Sequence, residues 1–245
     1  MAGGKYYIKI SGDYMNNEVE IKAQKVYKKK LFIKIIKVAF LLLLILISII
    51  YLFLYIIYAG GRFTVTLDKN MSNRKSVFLS EDGKTKNKTR TLAADTIEYM
   101  DNISIKWLPD DIDTEATGAH NGDNYIAYTF YIENEGKDVV NYWYSIPIDD
   151  VILNVDEAIR VMVYLNGERI VYAKLNGNIE EPEEGTKAFY SDDIVMLESR
   201  QDFSPGDIDK FTIVVFIEGD DPDCTNALLG GEMKMHMDIT EEHID

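Results

Sequence analysis

The sequence predicts a mainly β protein, an extracellular β-sandwich or jelly-roll domain preceded by one N-terminal transmembrane helix. Three features carry that expectation. Residues 38–59, "VAFLLLLILISIIYLFLYIIYA", contain no charge, Pro or Gly. The charge changes sign across that run. After it, the apolar pattern alternates with a period of two, as in strands.

Residues 38–59 number 22, so at about 1.5 Å per residue they reach roughly 33 Å, enough to cross a bilayer core of roughly 30 Å. A helix satisfies its own backbone groups, as lipid requires. Tyr51, Tyr55 and Tyr58 gather toward one end, where amphipathic rings suit the interface.

Residues 1–37 hold nine Lys against three Asp/Glu, and residues 60–245 hold 17 Lys/Arg against 38 Asp/Glu. Lys25, Lys28, Lys29, Lys30, Lys34 and Lys37 crowd just before the span. By the positive-inside rule, 1–37 form a basic cytoplasmic tail, 38–59 cross the cell membrane once, and 60–245 lie outside as an acidic domain. The lysines also suit anionic lipid headgroups, so the bilayer is the first expected partner. "YAGG" at the end of the span is a poor cleavage site, and the apolar run exceeds the core of a signal peptide. The acidic domain repels nucleic acid and favours cations or basic ligands.

In the outer part, "NYIAYTFYIENEG" puts Ile126, Tyr128, Phe130 and Ile132 on one face. "VVNYWYSIPI" behaves alike, and its Pro147 predicts an edge strand or a bulge. "AIRVMVYL" and "ERIVYAKL" flank Asn166-Gly167, a dipeptide that closes two-residue hairpins. Further strands are expected at "RFTVTL", "SVFLS", "DIVMLES", "FTIVVFI" and "EMKMHMDI", and from "TIEYM" through "ISIKWL" to Leu108. "NVDEAIR" suggests a short helical turn. Nine or ten strands without long helices read as a sandwich or jelly-roll.

The densest chemistry lies in "EGDDPDCTNALLGGEMKMHMDI", residues 218–239. Counted from Asp221, Asp223 is third, Thr225 fifth, Leu228 eighth and Glu232 twelfth, a partial match to a calcium loop. Asp221, Asp223 and Glu232 are therefore the candidate calcium ligands, and calcium is the one cofactor considered. Asn226 stands where such loops need Gly, and Leu229 offers no side-chain oxygen. The competing reading is a plain turn shaped by Gly219, Pro222, Gly230 and Gly231. Asp110 to Glu115, "DDIDTE", is a second acidic loop.

Met233, Met235 and Met237 share a strand face; core packing explains them better than a Cu(I) site. The single cysteine, Cys224, forms no internal disulfide, and Glu218, Asp221 and Asp223 around it disfavour a thiolate. His120, His236 and His243 follow no zinc-site spacing, and no nucleophile elbow or phosphate loop is present. Asn70, Asn87 and Asn102 begin glycosylation sequons, of consequence only in a glycosylating pathway.

"HNGDNYIAYTFYIENEG", "NVDEAIRVMVYLNG" and "IVVFIEGDDPDCTNALLGGEMKMHMDI" resemble a group of single-pass membrane-anchored surface proteins of Gram-positive bacteria. More distantly, the tyrosine-rich strands and the acidic turn resemble the SipW-dependent exported β-sandwich proteins of the TasA/camelysin type. That resemblance implies a jelly-roll and matrix or fibre roles, and for camelysin a metal-dependent protease activity. The chain departs from the group in its longer apolar segment and in lacking a zinc-ligand motif. The expected function is a non-enzymatic surface module contacting cell-wall, matrix or protein partners. The alternative is a metal-dependent surface hydrolase or calcium-regulated binder of the camelysin/TasA type.

Overall fold

The computed structural model describes residues 5–59, 62–69, 71, 77–83, 88–95, 97, 99–114, 117–175 and 182–241, with helix side chains described over 24–54. The chain divides into two compact units, Met1–Gly60 and Gly61–Asp245.

The first unit is a single helix, α1 (Lys5–Ala59). It starts far before the apolar run, because from Asp13 to Ala59 no Gly or Pro interrupts it. Helical structure therefore extends into the basic segment expected to be a tail. Within it, Gln24–Leu54 is long and apolar enough to cross a membrane. Its apolar side chains from Val26 to Leu54 are exposed. The helix stops where Gly60-Gly61 begins, a residue type that favours helix ends.

The second unit is mainly β, with twelve strands among the described residues: β1 (Thr64–Leu67), β2 (Val77–Ser80), β3 (Thr91–Ala93), β4 (Gly118–Ala119), β5 (Ile126–Asn134), β6 (Val140–Ile152), β7 (Ile159–Leu165), β8 (Glu168–Ala173), β9 (Lys187–Ala188), β10 (Ile194–Phe203), β11 (Ile208–Ile217) and β12 (Glu232–Glu241). They form two mixed sheets. One has the order β10-β6-β12-β1-β3; the other has β2-β5-β11-β7-β8-β9, with β4 beside β5. The parallel pairs are β1 with β12 and β8 with β9. The short strands β3, β4 and β9 were not expected, since two or three residues carry too little pattern to read.

Alternation builds the main core. Tyr128, Phe130 and Ile132 of β5, Tyr142, Tyr144 and Ile146 of β6, and Phe211, Ile213 and Val215 of β11 all enter it. Phe211 stacks on Phe130 with centroids 5.3 Å apart and meets Tyr144 of the other sheet edge-on at 5.2 Å. Such ring pairs add about 0.5–1.5 kcal/mol to the burial of the rings themselves. Met235, Met237 and Ile239 of β12 are buried in the same core, with Met233 packed at its margin. Asn166 and Gly167 take φ values of 53° and 87° and close the β7–β8 hairpin, as their chemistry predicts.

A second, smaller core lies on the opposite face of β5, β7, β8 and β11. Ala127, Met162, Val171, Val214 and Phe216 are covered there by Leu108 and Ile112. Burial on both faces explains the run "FTIVVFI", apolar throughout except for Thr212.

One expectation is corrected here, and one open alternative is decided. Among its described residues, the segment through Leu108 is not a strand. There its only ladder contact is the bridge of Ile103 to Glu218, after which Ile105–Trp107 form a 3-10 turn. Ser104 caps that turn by accepting a hydrogen bond from the Lys106 amide, and the chain lies over the second core. Of the two readings of Pro147, the bulge holds and the edge strand does not, because β6 pairs with both β10 and β12. A register shift between Ile194 and Met196, opposite Pro147, accommodates the missing donor as a bulge.

Gly231 is required for a steric reason. A Cβ there would lie 2.7 Å from Val155 Cβ and 2.9 Å from the Leu228 carbonyl. Gly231→Ala should therefore lower the urea midpoint by the equivalent of about 1–3 kcal/mol, the usual range for overpacking. Phe211→Ala, which removes both ring contacts, should cost about 3–5 kcal/mol in the same measurement.

Candidate functional site

β11 ends at Ile217 and the acidic turn begins with a buried carboxylate. The Glu218 amide donates to the Ala158 carbonyl at 2.8 Å. Its Oε2 accepts from the Ile105 amide and its Oε1 from the Asp220 amide, each at 3.0 Å. One side chain thus holds both the turn and the segment that covers the second core.

Asp220 adds a peripheral contact. Its Oδ2 accepts from Ser104 Oγ at 2.8 Å and from Lys106 Nζ at 3.0 Å. These donors hold its carboxyl below the usual range, the Ser104 hydrogen bond most.

Asp221 is the centre of the turn. Its side chain is fully buried against Arg160, itself only 2% exposed, with Nη2 2.6 Å from Oδ2. Asp221 Oδ1 accepts from the Asp223 amide at 2.7 Å. Arg160 Nη2 also contacts Glu183, and Nη1 reaches the Ile159 carbonyl at 3.2 Å. Burial holds the Glu183 carboxyl above the ordinary range; attraction to Arg160 opposes that, and repulsion from Asp221 adds to it.

The three candidate calcium ligands are not brought together. Asp221 has committed both oxygens to protein donors. Asp223 is half-buried beside it, while Glu232 is exposed at the start of β12, beyond the 3-10 turn Asn226–Leu228. Among the described residues, no group of three or more His, Cys, Asp or Glu side chains is placed to hold a metal ion. In the second acidic loop the Asp111 carbonyl accepts from the Thr114 amide and hydroxyl; Glu115 lies outside the described residues.

Cys224 is half-buried and free. Burial pushes its thiol pKa up and the charges of Asp221, Asp101 and Glu218 push it further, against a hydrogen bond with Asn102. A raised thiol is a poor nucleophile at neutral pH. Asn102, one of the three sequon residues, is exposed, while Asn70 and Asn87 lie outside the described residues.

The histidines sit elsewhere. His120 Nε2 meets Thr129 Oγ1 at 3.0 Å, and Thr129 bonds Thr212 across the sheet at 2.7 Å. His236 lies between Asp149 (3.0 Å) and Asp238 (3.2 Å). His243 lies outside the described residues.

Sequence reading missed Arg160 and Glu183. The signal for Arg160 was present: a charge inside "AIRVMVYL", with apolar neighbours on both faces, must find a partner. Nothing local marks Asp221 or Glu183 as that partner.

No protein-family model and no curated protein matches this chain. Among solved structures it is similar to a beta-glucosidase from Kluyveromyces marxianus in complex with glucose, at 13% identity and a TM-score of 0.27. A selenomethionine-labelled structure of beta-glucosidase from the same organism gives 13% identity and a TM-score of 0.24. In both cases the likeness covers 69% of this chain and 16% of that one. Likenesses at this level support no inference about fold or activity.

Arg160→Met should destabilise the domain by about 3–5 kcal/mol, because Asp221 is left charged and buried. Adding Asp221→Leu should recover most of that loss, as read by urea unfolding of both variants.

His236 has a second, pH-dependent signature. Desolvation lowers its pKa, but the hydrogen bond to Asp149 and the charges of Asp149 and Asp238 outweigh it, so the net shift is upward from 6.5. The folded state therefore binds this proton more tightly than the unfolded state. The stabilisation is complete below the unfolded value and is lost as pH rises through the folded one. His236→Gln should flatten the fall in stability as pH rises above about 6.5. His120 has the opposite sign. Burial and Lys210 lower its pKa, so its contribution is lost as pH falls below 6.5.

Proposed function

We propose that this chain is a membrane-anchored cell-surface module that acts by contact rather than by catalysis. Residues 1–37 lie in the cytoplasm, the apolar part of α1 crosses the membrane once, and the acidic domain stands outside as a β-sandwich of the jelly-roll type. The observation that carries this reading is the charge asymmetry around an uncharged helical run: nine Lys against three Asp/Glu before it, and 38 Asp/Glu against 17 Lys/Arg after it.

Two sheets sharing one aromatic-rich core support the sandwich. The engagement of Glu218, Asp220 and Asp221 with protein donors supports a structural turn over a metal centre. The partners expected are cell-wall, matrix or protein ligands with basic character; nucleic acid is disfavoured by charge. A calcium-regulated binder or metal-dependent hydrolase of the camelysin/TasA type is the competing reading.

Protease added to intact cells should digest the β domain and leave a membrane-embedded N-terminal fragment; protection of the domain until lysis would reverse the orientation. A mature N-terminus near Gly60 in the medium would replace the retained anchor with a cleaved leader. Millimolar calcium should leave the melting temperature unchanged. A ligand at one hundred times its Kd would add about 2.7 kcal/mol, which a melting curve resolves.

A further inference from the structure

Asn166 and Gly167 are both exposed at the end of the β7–β8 hairpin. The Asn166 side chain is nevertheless wired into the sheet. Its backbone amide donates to the Lys210 carbonyl at 2.9 Å, and Asn166 Oδ1 accepts from the Lys210 amide at 2.8 Å. The side-chain carbonyl thereby extends the β7–β11 ladder by one residue beyond its last pair, Leu165 with Phe211. Asn166 Nδ2 donates to Asp209 Oδ1 at 2.7 Å. Asp209 is 1% exposed, and its Oδ2 takes Tyr142 and Arg200 as donors.

The same dipeptide is chemically labile. The Gly167 backbone nitrogen, once it has lost its proton, attacks Asn166 Cγ. A bond forms between that nitrogen and Cγ, the Cγ–Nδ2 bond breaks, and ammonia leaves behind a five-membered succinimide. Water then opens the ring at either carbonyl to give an aspartyl or a β-linked isoaspartyl residue; no oxidant or reductant takes part. Glycine leaves the attacking nitrogen unobstructed, and even a Cβ at Gly167 would meet nothing within 4 Å.

In the closed hairpin both ends of the Asn166 amide are bound to β11. Swinging Cγ over the Gly167 nitrogen breaks both bonds, so the reaction waits on local opening of the hairpin end, which needs less free energy than global unfolding. The product has no N–H to offer Asp209. It sets a second carboxylate against a buried one, and like charges that close repel.

We propose that Asn166 is a spontaneous deamidation site gated by the β7–β8 hairpin, and that its product opposes reclosure through repulsion from Asp209. The conversion runs one way, so each opening risks permanent loss of the contact that joins the hairpin to Asp209. Asn121-Gly122, the other Asn-Gly pair among the described residues, is wired differently. Asn121 Oδ1 accepts from the Ala127 amide at 2.9 Å, but its Nδ2 donates to a backbone carbonyl, that of Asp95, at 3.0 Å. Deamidation there sets no carboxylate against a carboxylate acceptor.

The full chain in detergent micelles is incubated at mildly alkaline pH in water enriched in oxygen-18, with and without guanidinium chloride. Ring opening places a heavy oxygen in the product, and peptide mapping by mass spectrometry scores it at Asn166. Conversion in the native chain should be at least about tenfold slower than in the denatured chain. Equal rates overturn the gate, and absence of conversion in the denatured chain overturns the site. Asn166→Asp installs the product directly, and its urea midpoint should fall below that of the wild type. Adding Asp209→Asn restores a donor opposite the new carboxylate and should raise the midpoint again. An unchanged midpoint in Asn166→Asp, or no recovery in the double variant, overturns the repulsion from Asp209.

Discussion

The outer face of the larger sheet depends on one buried cation. Arg160 lies near the start of an apolar strand, where its guanidinium has almost no access to water. Desolvating such a group is tolerable only if carboxylates and carbonyls replace its hydration. Asp221, Glu183 and the Ile159 carbonyl do so. The consequence reaches beyond the ion pair. Fixing Asp221 fixes the turn after β11, and the Glu218 carboxylate in that turn holds the Ile105 amide. The segment carrying Leu108 and Ile112 is thereby held over Val214 and Phe216. A polar latch and an apolar core stabilise each other across the same strands.

The domain carries a large excess of acid, and its buried carboxylates are specific in what they do. Asp209 accepts from Tyr142 at 2.6 Å and from Asn166 at 2.7 Å, with Arg200 Nε at 3.2 Å, so one carboxylate ties β11 to both β6 and the β7–β8 hairpin. Burial and the nearby Asp209 charge push the Tyr142 hydroxyl well above its ordinary pKa, so it remains a donor throughout the physiological range. Asp156 pairs with Lys174 at 2.7 Å, while its Oδ1 is buried without a partner. Most of the remaining acids lie outside the core, where their mutual repulsion favours solubility and selects against anionic ligands.

The acidic turn has the composition of a metal loop and the wiring of a structural one. The difference lies in where the oxygens point. In a calcium loop the carboxylates converge on an empty centre; here those of Glu218, Asp220 and Asp221 each take an amide, hydroxyl or cationic side chain of this chain as donor. What the domain leaves unsatisfied is apolar instead: aliphatic side chains at the turns that follow β6 and precede β12.

Local pattern was enough to read the apolar helical run, the change of charge across it and the long strands. Residue spacing of two places Tyr128, Phe130, Tyr142 and Tyr144 on core faces whatever the strands pair with. Asn166-Gly167 closes its hairpin because both residues tolerate positive φ. The same reasoning failed from Tyr99 to Leu108, where apolar residues serve a 3-10 turn laid over a sheet, and at Pro147 it named the bulge without separating it from an edge strand. It also offered Asp221, Asp223 and Glu232 as one ligand set. Spacing along the chain fixes which residue types are near one another, but not which buried donor claims each oxygen. Arg160 and Asp221 are 61 residues apart, and only the pairing of β7 with β11 places that guanidinium beneath the turn.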